Sequence, residues 1–131
     1  MILAIKTSDM RAYLALFEPS QTEPVGQLEW ESGRKLSDEL LARIIELTGG
    51  NRGDLAKLTG IIIFSGPGSF TSLRIGHAVA NALASGLEIP VVGAAGDDWH
   101  KQGLAQVRQV KPGVSAIPQY GAEAHITRPK T

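Results

Sequence analysis

An α/β fold of order β-β-β-α-β-α-β is what this sequence of 131 residues predicts. Three observations carry it. Three strand-like runs follow one another before residue 32, two amphipathic segments of helical period come after it, and two short apolar runs, Ile61 to Phe64 and Val91 to Ala94, accompany those helices. Successive strands with short links form an antiparallel meander, whereas strands separated by helices pair in parallel.

Residues 1–7 and 11–18 read as strands, joined by Ser8-Asp9-Met10, a link short enough for a hairpin. Pro19 to Pro24 is a polar loop, and Val25 to Glu31 is a third strand with Leu28 and Trp30 on one face. From Leu36 the period changes. Leu36, Leu40, Leu41, Ile44, Ile45 and Leu47 fall on one half of a helical wheel, opposite Asp38, Glu39, Arg43 and Glu46. Gly49-Gly50 stops that helix, and Leu55 to Leu58 adds a helical turn before the strand at Gly60 to Ser65. The run Ile61 to Phe64 is β-branched and aromatic, as a strand covered on both faces is.

A helix from Thr71 to about Leu87 follows. Its polar residues Arg74, His77, Asn81 and Ser85 occupy a narrow arc, and apolar or small residues cover the remainder. A helix lying on a sheet needs only part of its surface apolar, so the surplus must be buried elsewhere. Gly76, Ala80 and Ala84 recur every four residues, a spacing that lets a second helix approach closely. The first helix or a second protein is the candidate to cover it. Pro90 closes the exit, and Val91 to Ala94 is the last strand. Asp97 to Val110 reads as a helix with Trp99, Val107 and Val110 inward, weakened by Gly103 at a cost of about 1 kcal/mol. From Pro112 the chain is an irregular tail over the surface.

Composition narrows the function. Thirteen basic residues balance thirteen acidic ones with no basic cluster, so direct nucleic-acid binding is not expected. There is no cysteine, which excludes disulfides and thiolate zinc sites. The apolar start Met1 to Ile5 is cut by Lys6, too short for a signal peptide or membrane span, and the cytoplasm is the expected location.

The turn Gly66-Pro67-Gly68-Ser69-Phe70-Thr71 between the buried strand and the long helix is the main candidate for chemistry. Gly66 and Gly68 permit positive φ, Pro67 fixes one φ between them, and Ser69 or Thr71 can cap the helix. Such turns aim backbone N–H groups at anions, which makes Gly66, Gly68, Ser69 and Thr71 weak candidates for nucleotide binding. A tight connection without a ligand is the competing reading. The turn lacks the Lys-Ser/Thr ending of a phosphate loop, and Thr71 stands where a dinucleotide fingerprint has its third glycine.

Catalytic candidates are thin. Ser65, Ser69 and Ser72 are plausible hydroxyls, but His77, His100 and His125 are the only histidines, and His77 reads as lying on the exposed face of its helix. No two histidines have metal-ligand spacing. Asp97 and Asp98 read as a helix cap.

Several of these residues together resemble the TsaB (YeaZ) family, the non-catalytic dimerisation subunit of bacterial tRNA threonylcarbamoyladenosine synthesis. The resemblance rests on Ile2-Leu3-Ala4-Ile5 with Thr7-Ser8, on Gly66-Pro67-Gly68-Ser69-Phe70-Thr71 with Leu73-Arg74-Ile75-Gly76, and on Ile89-Pro90-Val91-Val92-Gly93. The stretch from Pro118-Gln119-Tyr120 to Pro129-Lys130 resembles the family's C-terminal end more loosely. It implies a single actin-like ATPase (ribonuclease H-like) lobe with a mixed five-stranded sheet at residues 1–94. Residues 95–131 then form a short helix and an extended tail in place of most of a second lobe.

Two positions depart from the family pattern: Lys6 stands for its Asp and Ser72 for its Gly. Losing that carboxylate argues against metal-assisted phosphoryl transfer, so no catalytic residue, metal or cofactor is expected. The resemblance implies pairing with a TsaD-like transferase subunit through the lobe's helices, with a TsaE-like ATPase as a further partner and a homodimer as the alternative. Leu40, Leu41, Ile44, Val79, Leu83 and Leu87 are the candidate shared face. The alternative function is a weak nucleotide-binding or peptidase-like enzyme built on the turn Gly66 to Thr71.

Overall fold

Ile61, Ile62 and Ile63 are each fully buried, and they divide between two separate apolar cores. Side chains alternate across a strand, so a strand buried on both sides must have a layer on each. A computed structural model, which describes residues 1–119, shows those layers. The sheet comprises β1 (Ile2–Lys6), β2 (Arg11–Phe17), β3 (Gly26–Glu31), β4 (Gly60–Phe64) and β5 (Val91–Ala94), in the order β3-β2-β1-β4-β5. The first three strands form the expected antiparallel meander, and β1, β4 and β5 are mutually parallel. β1 is the centre, pairing Ile5 with Leu14 on one side and with Ile63 on the other.

Two helices, α1 (Leu36–Thr48) and α2 (Phe70–Leu87), cover one face. Leu36, Leu40 and Ile44 of α1 and Ala80 and Ala84 of α2 close there over Leu3, Ile5, Leu14, Ile61 and Ile63. α1 ends as expected: Gly49 and Gly50 adopt φ of +151° and +97°, and both donate to the Ile45 carbonyl. A 3-10 turn, Arg52–Lys57, fills the place of the helical turn read at Leu55 to Leu58.

The opposite face is covered by α3 (Trp99–Val107), whose Trp99, Leu104 and Val107 pack over Ile2, Ala4, Phe17, Ile62 and Phe64. Gly103 is explained there. It does not interrupt the helix, because it lies against Ile62, and any Cβ at that position would collide with the isoleucine side chain. The helix is shorter than the expected span of 97–110, and Val110 is only partly buried. The boundary placed after residue 94 falls at the end of β5, and α3 forms the third layer on the sheet.

Residues 111–119 carry no regular structure and run along α2 as a strap. The Asn81 side chain pins it: its Nδ2 donates to the Ala116 carbonyl at 3.0 Å, and its Oδ1 accepts from the Ala116 N–H at 2.9 Å. Removing both bonds in Asn81→Ala is expected to abolish protection of the Ala116 amide while β1 and β4 amides keep theirs. Amide hydrogen exchange reads this directly. Tyr120, His125, Pro129 and Lys130, named in the sequence reading, lie outside the described residues.

Candidate functional site

The turn at Gly66 and the end of β1 are two halves of one joint. Ser69 caps α2, its Oγ accepting from the Ser72 N–H at 3.4 Å, so the cap is Ser69 and not Thr71, which is exposed. The Ser69 N–H donates to the Ser8 carbonyl at 2.7 Å, and the Thr7 hydroxyl donates to the Ser72 carbonyl at 2.9 Å. Gly66 has φ of +121°, as expected, but Gly68 does not have positive φ. Gly68 is required for a different reason: a Cβ there would lie 2.6 Å from the Ser8 Cβ. Gly76, eight residues further on, lies against Thr7 in the same way. Gln119 closes the other side, its N–H donating to the Ser65 carbonyl at 2.6 Å and its own carbonyl pressed on Gly66. The residues that make the motif recognisable therefore fasten α2 to β1. The Ser69, Ser72 and Leu73 amides already have acceptors inside the lobe.

The serine–histidine reading finds no support in the hydrogen bonds of the groups involved. Ser65 Oγ donates to the Ala94 carbonyl at 3.2 Å. His77, read as exposed, is 3% exposed, because α2 turns that flank toward the sheet. Its Nδ1 lies 2.8 Å from the Leu73 carbonyl and so carries the proton, and Nε2 is buried without a partner among the described residues. Burial lowers the His77 pKa from its ordinary 6.5, against a smaller opposing effect of the Leu73 carbonyl, and burial with the neighbouring Lys6 lowers that of His100. The unfolded chain thus takes up protons on acidification before the folded one does, and stability falls as pH falls. The melting temperature should drop between about pH 7 and pH 5, and His77→Leu should flatten that slope. Thermal melts across this range are the measurement.

Asp98 occupies the position before α3 but makes no side-chain cap; its Oδ1 accepts from Gln102 Nε2 at 2.8 Å. Among the described residues no cluster of histidines and carboxylates could hold a metal ion, and no helix is long and apolar enough to cross a membrane.

The candidate shared face is rearranged. Leu40 and Ile44 are fully buried in the lobe's own core and present nothing outward. Leu41 is 36% exposed, and Val79, Leu83 and Leu87 are partly buried against the core. The small-residue stripe Gly76, Ala80, Ala84 also faces inward, toward Thr7 and the sheet. Two residues further along, Ala78, Ala82 and Gly86 repeat the same spacing on the exposed face of α2. Nothing lies within 4 Å of a Cβ built on Gly86. Ile75, Val79 and Leu83, partly exposed, flank this stripe. The interval of four was visible in the sequence; which of the two stripes faces out was not.

A family model described as TsaD, tRNA N6-adenosine threonylcarbamoyltransferase, matches residues 31–117. The tRNA threonylcarbamoyladenosine biosynthesis protein TsaB of Escherichia coli K12 is 29% identical over 112 residues, 81% of this chain and 47% of that protein. The chain belongs to this family, as a TsaB (YeaZ) member. TsaB of Haemophilus influenzae Rd is 27% identical over 127 residues, 97% of this chain and 52% of the relative. The structure of YeaZ from Pseudomonas aeruginosa superposes with a TM-score of 0.62 at 27% identity, over 72% of this chain and 43% of that one. The chain spans about half the length of the curated TsaB relatives it matches. Its mixed five-stranded sheet with helices is a single actin-like lobe, as expected.

Proposed function

We propose that this lobe is a scaffold subunit of the tRNA threonylcarbamoyladenosine machinery, binding a TsaD-like transferase subunit through the outer face of α2 and the neighbouring Leu41 of α1. A TsaE-like ATPase is the further member of the assembly. One observation carries the reading: the exposed stripe Ala78, Ala82, Gly86, flanked by Ile75, Val79 and Leu83. Small residues let a partner helix approach closely, and the flanking aliphatic side chains bury apolar area when it does. The names of the relatives supply the process in which such a partner would work.

The rival, a weak nucleotide-binding or peptidase-like enzyme at Gly66 to Thr71, has less to draw on. Within that turn the Ser69 amide is bonded to the Ser8 carbonyl, and His77 is tied to its own helix. The test is affinity capture of the tagged protein from its native cell, with mass spectrometry of what co-purifies. Recovery of a TsaD-like subunit supports the scaffold. Its absence, together with saturable heat on titrating ATP and magnesium, supports the rival. A symmetric pair of lobes joined through the same stripe is the third outcome, read from mass in solution.

A further inference from the structure

On the sheet face opposite α2, Lys6 ends β1 with its Nζ 4.5 Å from the centre of the Phe64 ring. Among the described residues two lysines or arginines are partly buried, Lys6 and Arg43. Arg43 is paired with Glu46 at 3.4 Å, whereas Lys6 makes no ion pair among the described residues. Removing part of the hydration shell of an ammonium without a counter-ion is unfavourable, and a ring face compensates only in part.

The acids beside Lys6 are engaged elsewhere. Glu29 pairs with Arg11 at 3.5 Å, and Asp9 Oδ1 accepts from the Arg11 N–H at 2.8 Å. The Tyr13 hydroxyl donates to Gln27 Oε1 at 3.0 Å. The remaining neighbour is His100, stacked on Trp99 at 4.2 Å and set edge-on to Tyr13 at 5.7 Å. These groups surround a groove of about 350 Å³, lined by Lys6, Asp9, Arg11, Tyr13, Glu29 and His100. That volume is at the small end of ligand sites and suits a single ring with one charged substituent.

We propose that this groove binds a small planar molecule bearing one oxyanion, a carboxylate or a phosphate monoester, with the oxyanion on Lys6 Nζ and the ring against Tyr13 and His100. The carboxylate of Asp9, which lines the same groove and has no ion pair among the described residues, disfavours a second negative charge and restricts the ligand to a single anionic group at the Lys6 end. The site is independent of the docking face on α2, so either can fail alone.

The test is an NMR titration of the whole protein with three probes: phenyl phosphate, benzoate and uncharged benzyl alcohol. The indole N–H of Trp99 and the imidazole of His100 report occupancy. Saturable shifts with an anionic probe, and none with benzyl alcohol, are expected. The tighter of the two anions identifies whether phosphate or carboxylate is the preferred group. Lys6→Met should weaken binding by about tenfold or more, and Lys6→Arg should retain it. Circular dichroism establishes that both variants fold. Absence of saturation with both anions at millimolar concentration, equal shifts with benzyl alcohol, or unchanged affinity in Lys6→Met would each overturn the assignment.

Discussion

Ala82→Glu is expected to abolish co-purification with a TsaD-like subunit while leaving the lobe folded. Ala82 is exposed at the middle of the stripe formed with Ala78 and Gly86, so the substitution touches no core contact. Exchanging Ala for Glu in a helix changes intrinsic propensity by only a few tenths of a kcal/mol. At a close helix–helix contact the effect is of another order. The glutamate fills the space a partner backbone would occupy, and it would lose hydration with no cation supplied for it. A loss of about 3 kcal/mol, or more than a hundredfold in affinity, follows. Gln106→Glu, the same charge change on the exposed side of α3, should have no effect on capture. Retention of the partner by Ala82→Glu would remove this surface from consideration. Val79 and Leu83 are poorer probes, because both pack against the core, and a charge there would unsettle the fold itself.

Gly76→Ala is the second large effect, this time on stability. A methyl group there would run into Thr7, whose hydroxyl holds the Ser72 carbonyl at 2.9 Å. Thr7 is fully buried directly after the central strand, so it has little room to withdraw. Overpacking of this kind costs about 2–3 kcal/mol, even after the gain of alanine over glycine in a helix. In a domain this small that lowers the melting temperature by about 10 °C. The double substitution Thr7→Ala with Gly76→Ala should recover part of the loss, because the incoming methyl then occupies vacated space. Simple additivity in thermal melts would locate the strain elsewhere.

The strands and helices could be read from the sequence where apolar period and turn residues agreed. β4 and β5 are short apolar runs bounded by glycine and proline, and α1 has a clean wheel ended by Gly49-Gly50. What could not be read depended on contacts between distant segments. α2 has small residues on several sides, so its period did not reveal that Ala80 and Ala84 face the sheet while Ala78 and Ala82 face out. Gly103 resembled a helix breaker because its partner, Ile62, lies on a strand 41 residues away in the chain. His77 looked solvated because polar type was taken as exposure, and the turn of that flank of α2 toward the sheet decided otherwise. Lys6 was legible as a departure from the family pattern, but not that the acids near it are taken by Arg11.

The position of β1 also bears on how the chain is assembled. Leu3 and Ile5 acquire one neighbour early, from the adjoining β2, but Ile61 and Ile63 are made only after the whole of α1. During synthesis the middle of the future sheet is therefore an open edge with unpaired amides and carbonyls. A ribosome paused between α1 and β4 would display that edge to its surroundings, and slow translation of this interval would favour aggregation over completion.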